Sequence, residues 1–234
     1  MLAEYILYIL CIAALAFATW AQIKVQSTFN KYSTVYTRGG TAASVARRIL
    51  DGAGLFHVAI ERIHGSLTDH YDPRAGVLRL SQTVYDSTSA AAVGVAAHEC
   101  GHAIQHATGY FPLRLRGFMA PVVSFASRFN WILIMLGAIL MSFDSYLGYH
   151  VVLFGLALFL VITVFQLVTL PCEFDASRRA LAQLTLTNSY TREELAVSRK
   201  VLFSAALTYV AALLVSLLQM LRLAVRFLGR GRRR

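Results

Sequence analysis

Disulfide chemistry is almost missing from this chain. Its 234 residues include three cysteines, Cys11, Cys100 and Cys172. With an odd count and no CxxC pair, they supply no disulfide framework. Acidic side chains are scarce too: 12 Asp and Glu stand against 22 Lys and Arg, a formal net charge of +10. Such an excess can signal nucleic acid, but no recognition motif accompanies it, so no nucleic-acid partner is expected. In a membrane protein the same charge marks segments held at the cytoplasmic face. Internal repeats are absent, and low complexity is confined to the basic C-terminal tail, which excludes a repeat architecture.

What the chain has in quantity is apolar surface. Hydrophobic residues make up 57% of it, and the mean hydropathy is +0.57. A soluble domain sits near ~45–50% apolar, so the surplus needs lipid. Four apolar stretches mark expected spans at about 5–21, 118–143, 150–170 and 201–220, leaving 22–117 and 171–200 as the catalytic segments of one membrane domain covering 1–234. The first stretch follows Glu4 with no Lys or Arg before its apolar core, the pattern of a retained anchor. Arg128 and Asn130 lie in the first half of the second, where they snorkel to the interface or face the catalytic segments.

The second and third stretches are separated only by Ser142 to Tyr149, which predicts a helical hairpin. A hairpin returns the chain to the side it left, so 22–117 and 171–200 share one membrane face. Those segments hold 15 of the Lys and Arg residues, whereas the hairpin turn holds Asp144 and no base. This places them in the cytoplasm, in a multi-pass membrane protein. The tail, with six arginines after residue 221, argues the other way if the fourth stretch spans fully. Its expected ligand is anionic lipid.

Between the spans the pattern is mixed. Thr41 to Leu50 reads as a short amphipathic helix, capped by Thr41 or Ser44 and followed by Gly52. Val58 to Ile63 and Leu78-Arg79-Leu80 read as two strands around a Pro/Gly loop. Ser89 to Ala107 reads as an Ala-rich helix. The fold class expected is therefore mainly α with a small β element, in a multi-span membrane protein.

The chemistry lies in that last helix, where residues 98–102 read His-Glu-Cys-Gly-His, an HExxH motif. Four helical residues turn through ~400°, so His98 and His102 stand one turn apart on nearly the same face and converge on one metal. Glu99 projects about 100° around, toward the open side of such a site. Two imidazoles and an adjacent carboxylate suit zinc-assisted hydrolysis, with Glu99 as the base. The surrounding residues are apolar, where unpartnered His and Glu side chains are costly. Cys100 faces the other way, into a core.

Catalytic zinc takes three protein ligands and water. His106 continues the series, but ~12 Å of helical rise separates it from His98, too far for one ion. It reads as a residue behind the ligands or at the helix end. The better third ligand is in Pro171-Cys172-Glu173-Phe174-Asp175-Ala176-Ser177. Pro171 is placed to start a new helix, with Glu173 and Ser177 on one face and Asp175 elsewhere. Glu173 is preferred to Cys172 or Asp175, because two His and a Glu form the commoner hydrolytic set.

These residues carry a resemblance. The chain is similar to the YugP-type neutral zinc metallopeptidases, bacterial membrane proteases, through TFNKYS at 28–33, ARRILDGAGL at 46–55, LTDHYDPRAGVLRLS at 67–81, GVAAHECGHAIQHATGY at 94–110, PLRLR at 112–116 and EFDASRRAL at 173–181. That family in turn resembles the HtpX and CAAX prenyl proteases, which pair HExxH with a Glu in an EFxAD-like helix. The resemblance implies a gluzincin-like zinc protease domain, Zn²⁺ as cofactor, Glu173 as third ligand and a bacterial-type plasma membrane; a place against the bilayer points to polypeptide substrates that include membrane proteins. Where those relatives place an Asp that supports the metal-site histidines, this chain has Ser177. Where the family has alanine after His-Glu, it has Cys100.

Asp69, His70, Tyr71 and Asp72 form a polar cluster before the second strand. Either His70 or Tyr71 donates to an oxyanion, or Asp69 and Asp72-Pro73 build a turn. The rival to the peptidase is a zinc-binding membrane scaffold or assembly factor without turnover, against which the intact Glu99 argues.

Overall fold

The computed structural model describes residues 2–187 and 189–231. Arg232, Arg233 and Arg234 of the basic tail lie outside them. In chain order the elements are α1 (Leu2–Tyr32), α2 (Ala42–Gly52), β1 (Ala59–Ile63), β2 (His70–Asp72), β3 (Val77–Ser81), α3 (Gln82–Tyr85), α4 (Ala90–Ala107), α5 (Phe111–Leu140), α6 (Ser145–Leu186) and α7 (Arg192–Gly231). The protein is mainly helical with one small sheet. Among the described residues, four helical segments, Glu4–Tyr32, Phe111–Leu140, Tyr146–Leu186 and Arg192–Phe227, are long and apolar enough to cross a membrane. The chain divides into two compact units, one of Met1–Trp20, Leu115–Leu170 and Tyr209–Arg234, the other of Ala21–Arg114 and Pro171–Thr208.

In the first unit α5 and α6 form an antiparallel hairpin. A Cβ on Gly137 would meet Val152 at 2.7 Å, and one on Gly155 would meet Ile134 at 2.7 Å. Backbones approach this closely because small residues remove the side chains between them, the usual means of helix association in lipid. Asp144 in the turn accepts the Tyr146 and Leu147 amides at 2.9 and 3.1 Å, an N-cap for α6. Thr163 of α6 and Ser216 of α7 satisfy each other's hydroxyls at 2.6 Å in a buried position.

The second unit holds the larger core. Val45, Ala46, Ile49 and Leu50 of α2 meet Leu78 and Leu80 of β3 and the small residues Ala92, Ala96, Ala97 and Ala103 of α4. Alanines on α4 let its neighbours pack against the backbone itself. Thr41 caps α2 by accepting the Ser44 amide, and Ser89 caps α4 by accepting the Ala92 amide, each at 3.2 Å. Such caps contribute about 1 kcal/mol apiece.

The sheet corrects the expectation of two strands around a loop. It has three strands in the order β1-β3-β2. β1 pairs with β3 in parallel, Ala59 facing Val77, and β2 pairs with β3 antiparallel, His70 facing Arg79. The extra strand arises inside the segment that reads as a turn. Asp72 does build that turn, its Oδ1 accepting from the Arg74 and Ala75 amides, while Oδ2 accepts from Arg79 at 2.7 Å. Arg79 and those amides hold the Asp72 carboxyl down at about 2. Asp69 accepts from the Ser81 amide at 2.7 Å and the Ser81 hydroxyl at 2.9 Å, tying the loop to the end of β3. Both aspartates are structural, and between them they hold β2 as the sheet edge nearest α4.

A second correction concerns Pro171. It does not start a helix but lies inside α6, which runs unbroken from Ser145 to Leu186. A proline in a helix forfeits one backbone hydrogen bond and crowds the preceding turn. In α6, a helix of 42 residues, that loss does not end it.

Candidate metal centre

α4 and α6 build the site, and Gly101 decides how closely they meet. A Cβ at Gly101 would lie 2.5 Å from the Ala176 carbonyl oxygen and 3.1 Å from its Cα. Real Cβ contacts do not come that close, so the glycine allows α6 to lie directly on the backbone of α4. One turn earlier, α6 then presents Glu173 to the two histidines that flank Gly101 on α4.

His98, His102 and Glu173 are brought together, one ligand atom from each lying within 4.8 Å of the others. His98 Nε2 is 3.2 Å and His102 Nε2 3.6 Å from Glu173 Oε2. The imidazoles meet edge to face, centroids 4.8 Å apart. Their side chains are 14% and 12% exposed, and that of Glu173 only 2%. Ligand atoms ~2.1 Å from a tetrahedral zinc stand about 3.4 Å apart. The two separations from Glu173 Oε2, 3.2 and 3.6 Å, are already close to that spacing, and two imidazoles with one carboxylate are a zinc donor set. The cluster fits zinc.

The atoms behind the ligands are also in place. His98 Nδ1 lies 3.1 Å from the Ser177 hydroxyl, and His102 Nδ1 lies 3.0 Å from Gln105 Oε1. Outer partners of this kind orient metal-binding imidazoles. Glu99 is 9% exposed, and its Oε2 accepts the Tyr71 amide of β2 at 3.1 Å. Burial pushes the Glu99 carboxyl above the usual carboxylate range; His98 and His102 pull it back, and Glu173 and Asp69 push it further up. Tyr71 also places its hydroxyl 2.9 Å from His106 Nδ1. Burial, and then the Asp72 charge, raise this phenol, which keeps it protonated as a donor.

A family model described as "Putative neutral zinc metallopeptidase" matches residues 7–228. The chain belongs to this neutral zinc metallopeptidase family. Among curated proteins, it is 49% identical over 223 residues to the "Putative membrane protease YugP" of Bacillus subtilis (strain 168), covering 94% of this chain and 96% of that protein. No solved structure matches the chain. Zinc is thus the family's metal, and the buried cluster of His98, His102 and Glu173 is positioned to bind a metal ion.

The other candidates of the sequence fall elsewhere. Cys100 is fully buried among α2 and α4, its thiol against the Ala46 carbonyl at 3.6 Å, and burial pushes that thiol well up. Cys172 is likewise buried, its carbonyl taken by Gln105. His70 is exposed and turns its Nδ1 to the Thr68 carbonyl at 2.9 Å, so Tyr71 is the member of the cluster that meets Glu99. His106 stands apart from the ligand set, on Tyr71. Gln105 was not legible as part of the site: a glutamine in an Ala-rich helix gives no signal until α6 is laid against it.

Replacing Gly101 by Ala should separate the two helices. The overpacking should cost about 1–3 kcal/mol, read as a lowered melting temperature in detergent, and zinc per purified chain should fall well below that of the parent. Retention of parent-like zinc by Gly101→Ala would show that the close approach is not what assembles the site.

Proposed function

We propose that this protein is a membrane-embedded zinc metallopeptidase in which His98, His102 and Glu173 hold the metal and Glu99 is the general base. The reading is supported most directly by Glu99. Its carboxylate is buried beside the three-residue cluster, fixed by the Tyr71 amide, and made more basic by its surroundings. A zinc-storage site has no use for such a base.

His98, His102 and Glu173 would hold the zinc, which would supply Lewis acidity to water and to a peptide carbonyl. Glu99 takes the proton of the attacking water and later delivers it to the leaving amine. The Tyr71 hydroxyl, steadied by His106, is the candidate donor to the oxygen that gains charge as the carbonyl is attacked. The gluzincin-like character of the site rests on the same set, two histidines of one helix with a glutamate from another. Substrates are polypeptides, and the four span-length helices favour those in or near the bilayer.

The test is Glu99→Gln in the full-length protein, assayed for cleavage of fluorescent casein and of itself. Turnover should fall by about 100- to 10,000-fold while zinc per chain stays at the parent value. Parent-like cleavage by this variant would sink the assignment of the base. A parent that holds zinc but cleaves neither substrate would favour the non-hydrolytic scaffold.

The catalytic unit is further proposed to face the cytoplasm, from the 15 basic residues of segments 22–117 and 171–200 against Asp144 alone in the hairpin turn. In intact cells a membrane-impermeant thiol reagent should label Ser142→Cys and leave Ser66→Cys untouched. The reverse pattern would invert the topology.

A further inference from the structure

We propose that Asp175 and Gln105 form a positioning relay that locks His102 as a metal ligand through its Nε2 atom, so that the two histidines of the site are held unequally. The argument begins with the amide of Gln105, which is completely buried. A buried amide has two donors and one acceptor oxygen to satisfy, and which end is which follows from its neighbours. One end lies 2.8 Å from the Cys172 carbonyl oxygen and 3.0 Å from Asp175 Oδ2. Both neighbours only accept, so this end is Nε2. The other end is therefore Oε1, and it faces His102 Nδ1 at 3.0 Å. An amide oxygen cannot donate. His102 Nδ1 must carry the proton, which leaves the lone pair on Nε2, the atom turned toward Glu173.

Asp175 makes the orientation firm. Its side chain is 6% exposed, and it accepts from Arg178 and, at 2.6 Å, from Arg179. The Arg179 guanidinium lies 5.6 Å over the ring of Tyr110. Flanked by two guanidinium groups, the carboxylate stays an acceptor, so the Gln105 amide has no second orientation of comparable energy. A flip would set its oxygen against a carbonyl and a carboxylate.

His98 is different. Its Nδ1 faces the Ser177 hydroxyl at 3.1 Å, and a hydroxyl either donates or accepts. Ser177 holds the ring without fixing its proton. The relay has a second consequence. Gln105 sits on α4, whereas Cys172 and Asp175 sit on α6 with Glu173. One amide therefore sets the proton of His102 and the register of the helix that carries the third ligand.

This inference rests on the zinc-site reading above, and its test separates the two. Zinc affinity is measured by chelator competition on the full-length protein in detergent, alongside the melting temperature of the zinc-free form. Gln105→Met keeps the volume and removes the relay; affinity should fall about 10- to 100-fold. Gln105→Glu should fall at least as far, because it sets an acceptor against two acceptors. Asp175→Asn keeps an oxygen for Gln105 and should retain affinity within a few-fold of the parent. In proton NMR of the zinc-loaded protein, the His102 Nδ1–H signal should shift in Gln105→Met while that of His98 does not. Parent-like affinity in Gln105→Met, or a drop confined to the zinc-free melting temperature, would overturn the relay. An Asp175→Asn variant as weak as Gln105→Met would show that the charge of Asp175 acts by another route and would overturn it too. A parent that takes up no zinc would overturn both the relay and the metal site beneath it.

Discussion

The contact between α4 and α6 at Gly101 governs what the catalytic unit can do. With any side chain at that position the Ala176 carbonyl could not lie where it does. The helices would separate by the thickness of a methyl group or more, and Glu173 would withdraw from His98 and His102. Metal ligands on rigid helices give a site its precision, but only if the helices are fixed to each other. The same logic recurs two turns away. A Cβ on Gly94 would crowd Ser198 of α7 at 3.2 Å, and the Ser198 hydroxyl donates to the Ala90 carbonyl. Small residues thus seat α4 between α6 and α7, and the larger apolar side chains of α2 and β3 close its other face.

Two carboxylates, Glu99 of the alanine-rich α4 and Glu173 of α6, are both buried here. Burial of unpaired charge is strongly unfavourable. The cluster answers this in two ways. Glu173 lies against two imidazoles, and a metal placed among the three would neutralise it. Glu99 has a backbone amide from β2, which is why the short edge strand matters: it delivers the Tyr71 N–H to that carboxylate. The polar layer behind the histidines is equally specific, with a hydroxyl on one ring and an oriented amide on the other.

Much of this was legible before any coordinates. His98 and His102 follow from helical periodicity, Glu99 from its place between them, and Glu173 from its position after the third apolar stretch and from the resemblance. The hairpin of α5 and α6 follows from the brevity of the link. What the sequence could not carry were contacts between helices. Asp175, on a different face from Glu173, reads only as the weaker candidate for third ligand, yet that face is the one Gln105 reaches. Pro171 suits a helix start by local propensity, yet α6 continues through it. β2 was hidden because three residues within a turn-rich stretch give no alternation to read; only the hydrogen bonds of Asp69 and Asp72 make them a strand.

The central claim is that two imidazoles and one carboxylate, without sulfur, hold zinc in this protein. X-ray absorption at the zinc edge of the purified, full-length protein tests it most directly. The expected spectrum has a shell of nitrogen and oxygen at about 2.0–2.2 Å with the outer scattering of two imidazoles, lost in His98→Ala and reduced by one light atom in Glu173→Gln. A sulfur shell near 2.3 Å, implicating Cys100 or Cys172, or an unchanged shell in Glu173→Gln, would contradict it.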